Sequence, residues 1–355
     1  MFLNASIKRA RTFVMTVTAA ALCVLPAVFA DGCREGARRG LELSLGVLVP
    51  SLFPLMAATN LFVKVGACAR LGRLLRRPAR VLFGVSGSMA PVLLLSLLGG
   101  YPVGAVGIAA LRRQGAVSEQ EARRAALVAV CAGPGFVMGF VGTAVYHSAV
   151  IGRILLAAQV ASVLLTGISA RLIIPIKNNG SDAERLPAPL PLDRALVEAV
   201  TEAARSMGII GAFVTAFAAL TGLLGQLLGD GTALDAAYLL LEVCTAVTRL
   251  ADKAPVALIA FAVGFGGICV HCQIFAALGE VKVNKLLFFL FRIMQGLLTA
   301  LLTSLGLRLT PQTATVFSTV SPGAAVYGGS VLSGAILLGV ALCFFISVKQ
   351  SAQQQ

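Results

Sequence analysis

Tryptophan is absent from this chain of 355 residues, aromatic residues make up 6%, and there are two histidines, His147 and His271. The stacking platforms that hold single-stranded nucleic acid are therefore not evident, and acid–base chemistry has few candidates. Charge is also scarce: Asp, Glu, Lys and Arg together reach 12%, about half the share of a soluble domain. No Walker loop, Gly-x-Ser-x-Gly elbow or His-Glu-x-x-His is present, so no enzyme activity is indicated and ATP-driven transport would need another subunit. The cysteines lie mostly inside apolar stretches (Cys23, Cys131, Cys244, Cys343) without framework spacing. They read as small hydrophobes rather than disulfides, and no cofactor is implied.

What is present is hydrophobic, 58% of all residues, with a mean hydropathy of +0.91. That excludes a free cytosolic enzyme, a secreted disulfide scaffold and a disordered regulator. The net charge of +14 comes from 29 Lys and Arg against 15 Asp and Glu. In a soluble protein this excess would point to nucleic acid. Here the basic residues cluster between apolar blocks, so the excess reads as the positive-inside signature, with anionic lipid headgroups and not nucleic acid as partner.

A span needs about 20 apolar residues. Thr12–Ala30, after Lys8, Arg9 and Arg11, reads as an anchor helix; Val28-Phe29-Ala30 also fits a signal-peptidase site, and both readings put residue 31 outside. Leu43–Val63 follows. Val81–Leu111 carries no charge and is too long for one crossing, with Gly99-Gly100-Tyr101-Pro102-Val103-Gly104 in its middle. With basic residues on both sides it reads as a re-entrant hairpin. Ser118-x-x-Glu121 is a capping-box pattern for the next helix, whose continuation, Ala125–Tyr146, is broken at Ala132-Gly133-Pro134-Gly135. Ile154–Ile174 returns inward. Beyond a polar, proline-dotted linker, Ala195–Arg205 reads as an amphipathic surface helix. Ser206–Gly229 then spans outward and Ala236–Val247 returns toward Arg249. Pro255–Gly279, broken at Gly264-Phe265-Gly266-Gly267, reads as a second hairpin; Leu286–Leu307 and Ser330–Val348 complete the set. The fold class is all-α and polytopic, with about eight spanning helices plus two re-entrant or broken hairpins. Gly99-Gly100-x-x-Val103 and Ala109-Ala110-Leu111 recur as Gly266-Gly267-x-x-Val270 and Ala276-Ala277-Leu278 at one constant offset. This suggests an internal duplication whose relative orientation the sequence leaves open.

Broken helices leave backbone donors and acceptors unpaired, which is tolerated only where protein or a watery cavity covers them. The candidate solute site is therefore Gly99, Gly100, Tyr101, Pro102, Gly133, Pro134, Gly266 and Gly267; tight helix packing by small residues is the alternative. Glu242, within Leu239-Leu240-Leu241-Glu242-Val243-Cys244, is a carboxylate in an apolar segment and a functional candidate on that ground. The competing reading is a structural pair with Arg292. Cys269-Val270-His271-Cys272-Gln273 invites a metal, but residues 269 and 271 face different directions on a helix and no second ligand cluster is evident. His271 and Gln273 are expected to line a polar cavity instead, and no metal site is assigned.

Ser51-Leu-Phe-Pro54, Leu71-Gly-Arg73, Gly99-Gly-Tyr-Pro-Val-Gly-Ala105, Gln114-Gly-Ala-Val-Ser-Glu-Gln-Glu121, Ala132-Gly-Pro134, Leu241-Glu242 and Phe265-Gly-Gly-Ile-Cys-Val-His-Cys-Gln273 occur in order. This series resembles the YlbJ-type sporulation integral membrane proteins, over roughly residues 35–305. The resemblance implies a Gate, or nucleoside-recognition, domain and an inner-membrane protein of spore formers, needed for a mature spore cortex. It implies no particular substrate. One departure stands out: where the family shows Asn-Asn before Ala-Gly-Pro, this chain has Val130-Cys131.

The expected organisation is an anchor (1–34), a first Gate-like repeat (35–175), a cytoplasmic linker (176–205), a second Gate-like repeat (206–348) and a polar tail (349–355). The expected function is to bind or move a small polar solute in the cell or forespore membrane. Its partners would be the bilayer, and a second copy or other sporulation membrane proteins. The alternative from another class is a non-transporting scaffold for cortex assembly.

Overall fold

The computed structural model describes residues 2–113, 115–174 and 189–310, and these are helical throughout apart from short connections. The expected span Ser330–Val348, the tail 349–355 and residues 176–188 of the linker lie outside the described residues. Helix α1 (Phe2–Val28) is followed by α2 (Ala30–Leu43), a π-helical turn (Ser44–Leu48) and α3 (Val49–Lys64). Long α9 (Leu192–Leu228) runs antiparallel to this stretch. Gly32 donates to the Gln226 side chain (2.8 Å), Asn60 donates to the Ala199 carbonyl (3.3 Å), and Lys64 pairs with Glu198 and Glu202 (3.0 and 2.8 Å).

Glycine allows the closest part of that contact. A Cβ at Gly36 would overlap the Ala218 carbonyl, and one at Gly222 would overlap the Gly32 carbonyl. The amphipathic stretch Ala195–Arg205 is thus not a separate surface helix. Its small residues Ala195, Ala199 and Ala203 are buried, and it is the first part of one 37-residue helix.

The basic helix α4 (Ala67–Leu82) leads to α5 (Met89–Gly99) and α6 (Tyr101–Arg113). These two fold back on each other, so that Cβ atoms on Gly104 and Gly107 would lie 2.7 and 2.8 Å from the Ser96 and Val92 side chains. The expected first hairpin is present, and its turn is Gly100, at φ 87°. Helix α7 (Glu119–Val128) starts at Ser118, whose side chain accepts from the Glu121 amide (3.1 Å). Glu121 completes no reciprocal capping box; its carboxylate accepts from the Ser86 amide (2.6 Å). After a break at residues 129–134 the chain continues as a π-helix, Gly135–Val145, and α8 (Ala149–Ile173) returns alongside. Gly142 meets Gly152, and Gly167 faces Val128.

The second half departs from the sequence reading. Helices α10 (Thr232–Leu241) and α11 (Val243–Leu250) are separated by Glu242 alone, in extended conformation. Asp230, before α10, pairs with Arg249 at the end of α11 (2.7 Å). Both ends therefore lie on one face, and helices of 10 and 8 residues reach only about 15 and 12 Å. The expected return span Ala236–Val247 is a re-entrant hairpin with Glu242 at its tip.

Conversely, α12 (Val256–Phe265) and α13 (Gly267–Leu278) form no hairpin. Together they make a 23-residue apolar stretch, about 35 Å long, enough to cross. Helix α14 (Lys285–Leu309) runs antiparallel along its length. Phe288 faces Phe275, Phe289 faces Phe265, and Gly296 abuts Gly264.

Among the described residues four stretches are long and apolar enough to span: Ala149–Ile173, Leu192–Leu228, Val256–Leu278 and Lys285–Leu309. The stretch from Thr12 to Leu48, bent by 94°, would be a fifth. Of the eight expected spans, Ser330–Val348 lies outside the described residues, Leu43–Val63 and Ala125–Tyr146 are divided into shorter helices, and Ala236–Val247 turns back. Pro255–Gly279, expected as a hairpin, is long enough to cross. This is an all-helical, multi-pass membrane protein. Each half contains a hairpin, an interrupted helix and a straight helix in that order, and the two straight helices cross antiparallel, with Thr299 against Ser162 and Gly306 against Ile154.

Candidate functional site

The hairpin turns and span breaks meet in the core. Gly100 packs backbone to backbone on Gly133, where an added Cβ would sit 3.0 Å from the Gly100 nitrogen. Gly267 packs in the same way on Leu241 and Glu242, and a Cβ there would sit 3.1 Å from the Leu241 carbonyl oxygen. Each hairpin tip thus rests on the break of its own half. Glycine is required at Gly266 and Gly267, with φ 85° and 72°.

Between these elements is a cavity of about 40 Å³. It is lined by Gly100, Tyr101 and Pro102 of the first hairpin, Gly133 and Phe136 at the first break, and Glu242, Val243 and Cys244 of the second hairpin. Val270 and Gln273 of α13 join them, with Leu48, Leu52, Ile210 and Val214 as an apolar wall.

Glu242 is 1% exposed, and its extended backbone makes it the N-cap of α11: its carboxylate oxygens accept from the Cys244 and Thr245 amides (2.9 and 2.6 Å). It does not pair with Arg292. That guanidinium, fully buried, donates to the Val130 carbonyl (2.8 Å) and the Leu127 carbonyl, and lies 5.5 Å from the Phe288 ring centre. Gln295 donates to the Val130 carbonyl as well (3.1 Å). Arg292 and Gln295 therefore occupy the Leu127 carbonyl at the end of α7 and the Val130 carbonyl in the break beyond it, which no following helical turn satisfies. Tyr101 does the corresponding service at the other break, donating to the Val263 carbonyl (2.6 Å).

Of the residues read from sequence, Gly100, Tyr101, Pro102, Gly133, Glu242 and Gln273 line the cavity. Gly99 is buried behind the turn against Val103, Pro134 caps the π-helix, and Gly266 and Gly267 support Tyr101 and the Glu242 tip without lining the space. His271 does not line it either. Its Nε2 lies 2.9 Å from the Phe265 carbonyl oxygen and its ring is edge-on to Phe265, Phe288 and Phe289, because on α13 it points toward α14. Gln273, two residues on, faces the opposite way and contacts the Cys269 sulfur (3.3 Å). Among the described residues no group of three His, Cys, Asp or Glu is placed to hold a metal. Gln295 was missed, although its spacing of three from Arg292 puts both on one helix face. The apolar wall has no sequence signal, since its residue types equally suit lipid.

Outside the core, Glu119 ties the two halves together. It accepts from Arg112 and Arg123 (3.1 and 3.0 Å) and from the Lys282 amide in the α13–α14 turn (3.1 Å). Partial burial works to raise its pKa, but these donors outweigh it and hold the carboxyl below its usual range.

No family model matches the chain, and no solved structure matches it. The chain is 26% identical, over 313 residues covering 76% of each protein, to the sporulation integral membrane protein YlbJ of Bacillus subtilis strain 168, which bears out the YlbJ-type resemblance read from the motifs.

Proposed function

We propose that this chain is a transporter-like membrane protein of spore formation, acting in cortex maturation, that binds a small polar solute between its two hairpin tips. One observation carries the reading: the cavity is built from both halves, with Gly100–Pro102 and Gly133 from one and Glu242 and Gln273 from the other. A site at such a junction opens and closes when one half moves against the other. The likeness to a sporulation membrane protein supports the cellular setting. The repeat is read in a new register. Gly100 corresponds to Glu242 as hairpin tip, and Gly133 to Gly266–Gly267 as span break, which makes the halves inverted Gate-like units. The nucleoside-recognition label rests on resemblance alone and supplies no substrate.

The scaffold reading keeps one supporting observation, the small volume and largely apolar wall. A thermal-shift screen on the purified protein, with nucleosides, metal ions, amino acids and cell-wall precursors, separates the two. Transport predicts a stabilising solute whose effect is lost in Gly133→Ala, where the added methyl enters the junction. A protein with normal folding and no response to any class would be a scaffold.

A further inference from the structure

We propose that α4 is a membrane-surface helix that binds anionic phospholipid of the cytoplasmic leaflet, with Arg73 and Arg77 on the headgroup phosphates. The proposal goes beyond the solute-site reading and stands whether or not the chain carries a solute.

From residue 43 to residue 118 the sequence holds no Asp or Glu, yet Arg70, Arg73, Arg76, Arg77 and Arg80 all fall in α4. At helical spacing the helix divides into three flanks. Gly72 and Ala79 make the buried one, and a Cβ at Gly72 would lie 2.8 Å from the Gly87 carbonyl oxygen, so α4 rests closely on the turn that leads to α5. Arg73, Arg76, Arg77 and Arg80 share the second flank, and all four are exposed. Leu74 and Val81, 75% and 63% exposed, lie on the third.

The two ends of α4 fix where it runs. Gly66, its N-cap, faces Pro189 just ahead of α9, and the Lys64 carbonyl accepts from the Leu190 amide (3.0 Å). At the other end Arg171, in the last turn of α8, donates to the Val81 carbonyl, and Arg124 donates to the Gly84 carbonyl (2.6 Å). The sequence between α8 and α9 contains no apolar run long enough to cross. The end of α8 and the start of α9 therefore share one membrane face, and α4 follows that face. Its arginines mark the face as cytoplasmic.

Charge and apolar surface together name the partner. The Arg73 and Arg77 guanidinium groups, one helical turn apart, have no carboxylate partner among the described residues. A free phosphate would satisfy them but leave Leu74 and Val81 in water. An anionic phospholipid satisfies both flanks, its phosphate against the arginines and its acyl chains beneath the leucine and valine.

The test melts the full-length protein in detergent at low ionic strength with added phosphatidylglycerol or phosphatidylcholine. Phosphatidylglycerol is expected to raise the midpoint saturably, by about 2 °C or more above the same amount of phosphatidylcholine, and salt should shrink the increment. In Arg73→Gln/Arg77→Gln the half-saturating phosphatidylglycerol rises about tenfold or more. Arg34→Gln/Arg39→Gln removes the same charge from α2, where Asp31 and Glu35 already face those arginines, and leaves it within about twofold. Equal responses to the two lipids overturn the proposal and reduce the arginines to a topology signal. A full response in Arg73→Gln/Arg77→Gln overturns it too, as does an equal increment from glycerol phosphate added with phosphatidylcholine, since no anionic lipid is then needed. If the double variant yields no folded protein, Leu74→Asn decides: a weaker response to phosphatidylglycerol supports the surface helix, and an unchanged one rejects it.

Discussion

The two interrupted helices face one problem, a break in an apolar core, and meet it with different chemistry. The break after α7 is six residues wide, and its loose carbonyls are taken by Arg292 and Gln295. The break between α12 and α13 is one residue wide, made by two left-handed glycines, and needs a single donor, the Tyr101 hydroxyl. In both cases the donor comes from the other half of the chain. Each half thus completes the backbone of its counterpart, and the wide break demands a charge where the narrow one is content with a phenol.

The strongest way to break this comparison is Arg292→Met. Two buried carbonyls lose a charged donor, and only Val130 keeps Gln295, so a loss of about 4 kcal/mol is expected. It should show as a collapse in folded yield and melting midpoint; a well-folded Arg292→Met protein would falsify the capping role. Next is Gly267→Ala, which combines a left-handed backbone with a Cβ at 3.1 Å from the Leu241 oxygen. About 2 kcal/mol is expected, with Gly279→Ala as control. That glycine is also left-handed but has open space around it, so the difference in melting midpoint isolates the contact. Tyr101→Phe should cost about 1–2 kcal/mol by orphaning the Val263 carbonyl. The narrow break is then the less sensitive of the two, and equal losses in Arg292→Met and Tyr101→Phe would erase the distinction.

The smallest effect belongs to the surface tie at Glu119. Its pKa is lower folded than unfolded, so its contribution is present above the unfolded value and is lost as pH falls through the folded one. Melting curves from neutral to acid pH should show Glu119→Gln less stable than the parent at pH 7 by about 1 kcal/mol or less, the gap closing as the pH drops below the usual carboxylate range.

How far the sequence could be read follows from what each signal measures. Glycine and proline clusters marked Gly100, Gly133 and Gly266 correctly as interruptions, because such residues interrupt a helix in any context. They did not distinguish a turn-back from a kinked crossing. Gly266–Gly267 was read as a hairpin and proved to be a kink, and the real second hairpin turns on Glu242, with no glycine at all. The clue was present in charge: Asp230 and Arg249 flank two helices too short to cross separately. An apolar run of 20 residues fits one span or two half-spans equally well, so run length alone overcounted the crossings. Gln273 and His271 were equivalent as polar residues in an apolar segment. Only the position of α14 separates the one that meets the cavity from the one buried among phenylalanines.

The seam between α2 and α9 has a mechanical consequence. Where Gly36 and Gly40 meet Gly222, Ala218 and Thr215, main chain bears closely on main chain, and the longer side chain at this seam, Gln226, is held by the Gly32 amide. Two helices locked in that way shift together or not at all, as packed interfaces switch between discrete arrangements instead of yielding gradually. They form a stator. Ile210 and Val214, which wall the cavity, belong to this fixed part, so a change in the cavity's shape falls to the hairpin tips on the opposite side.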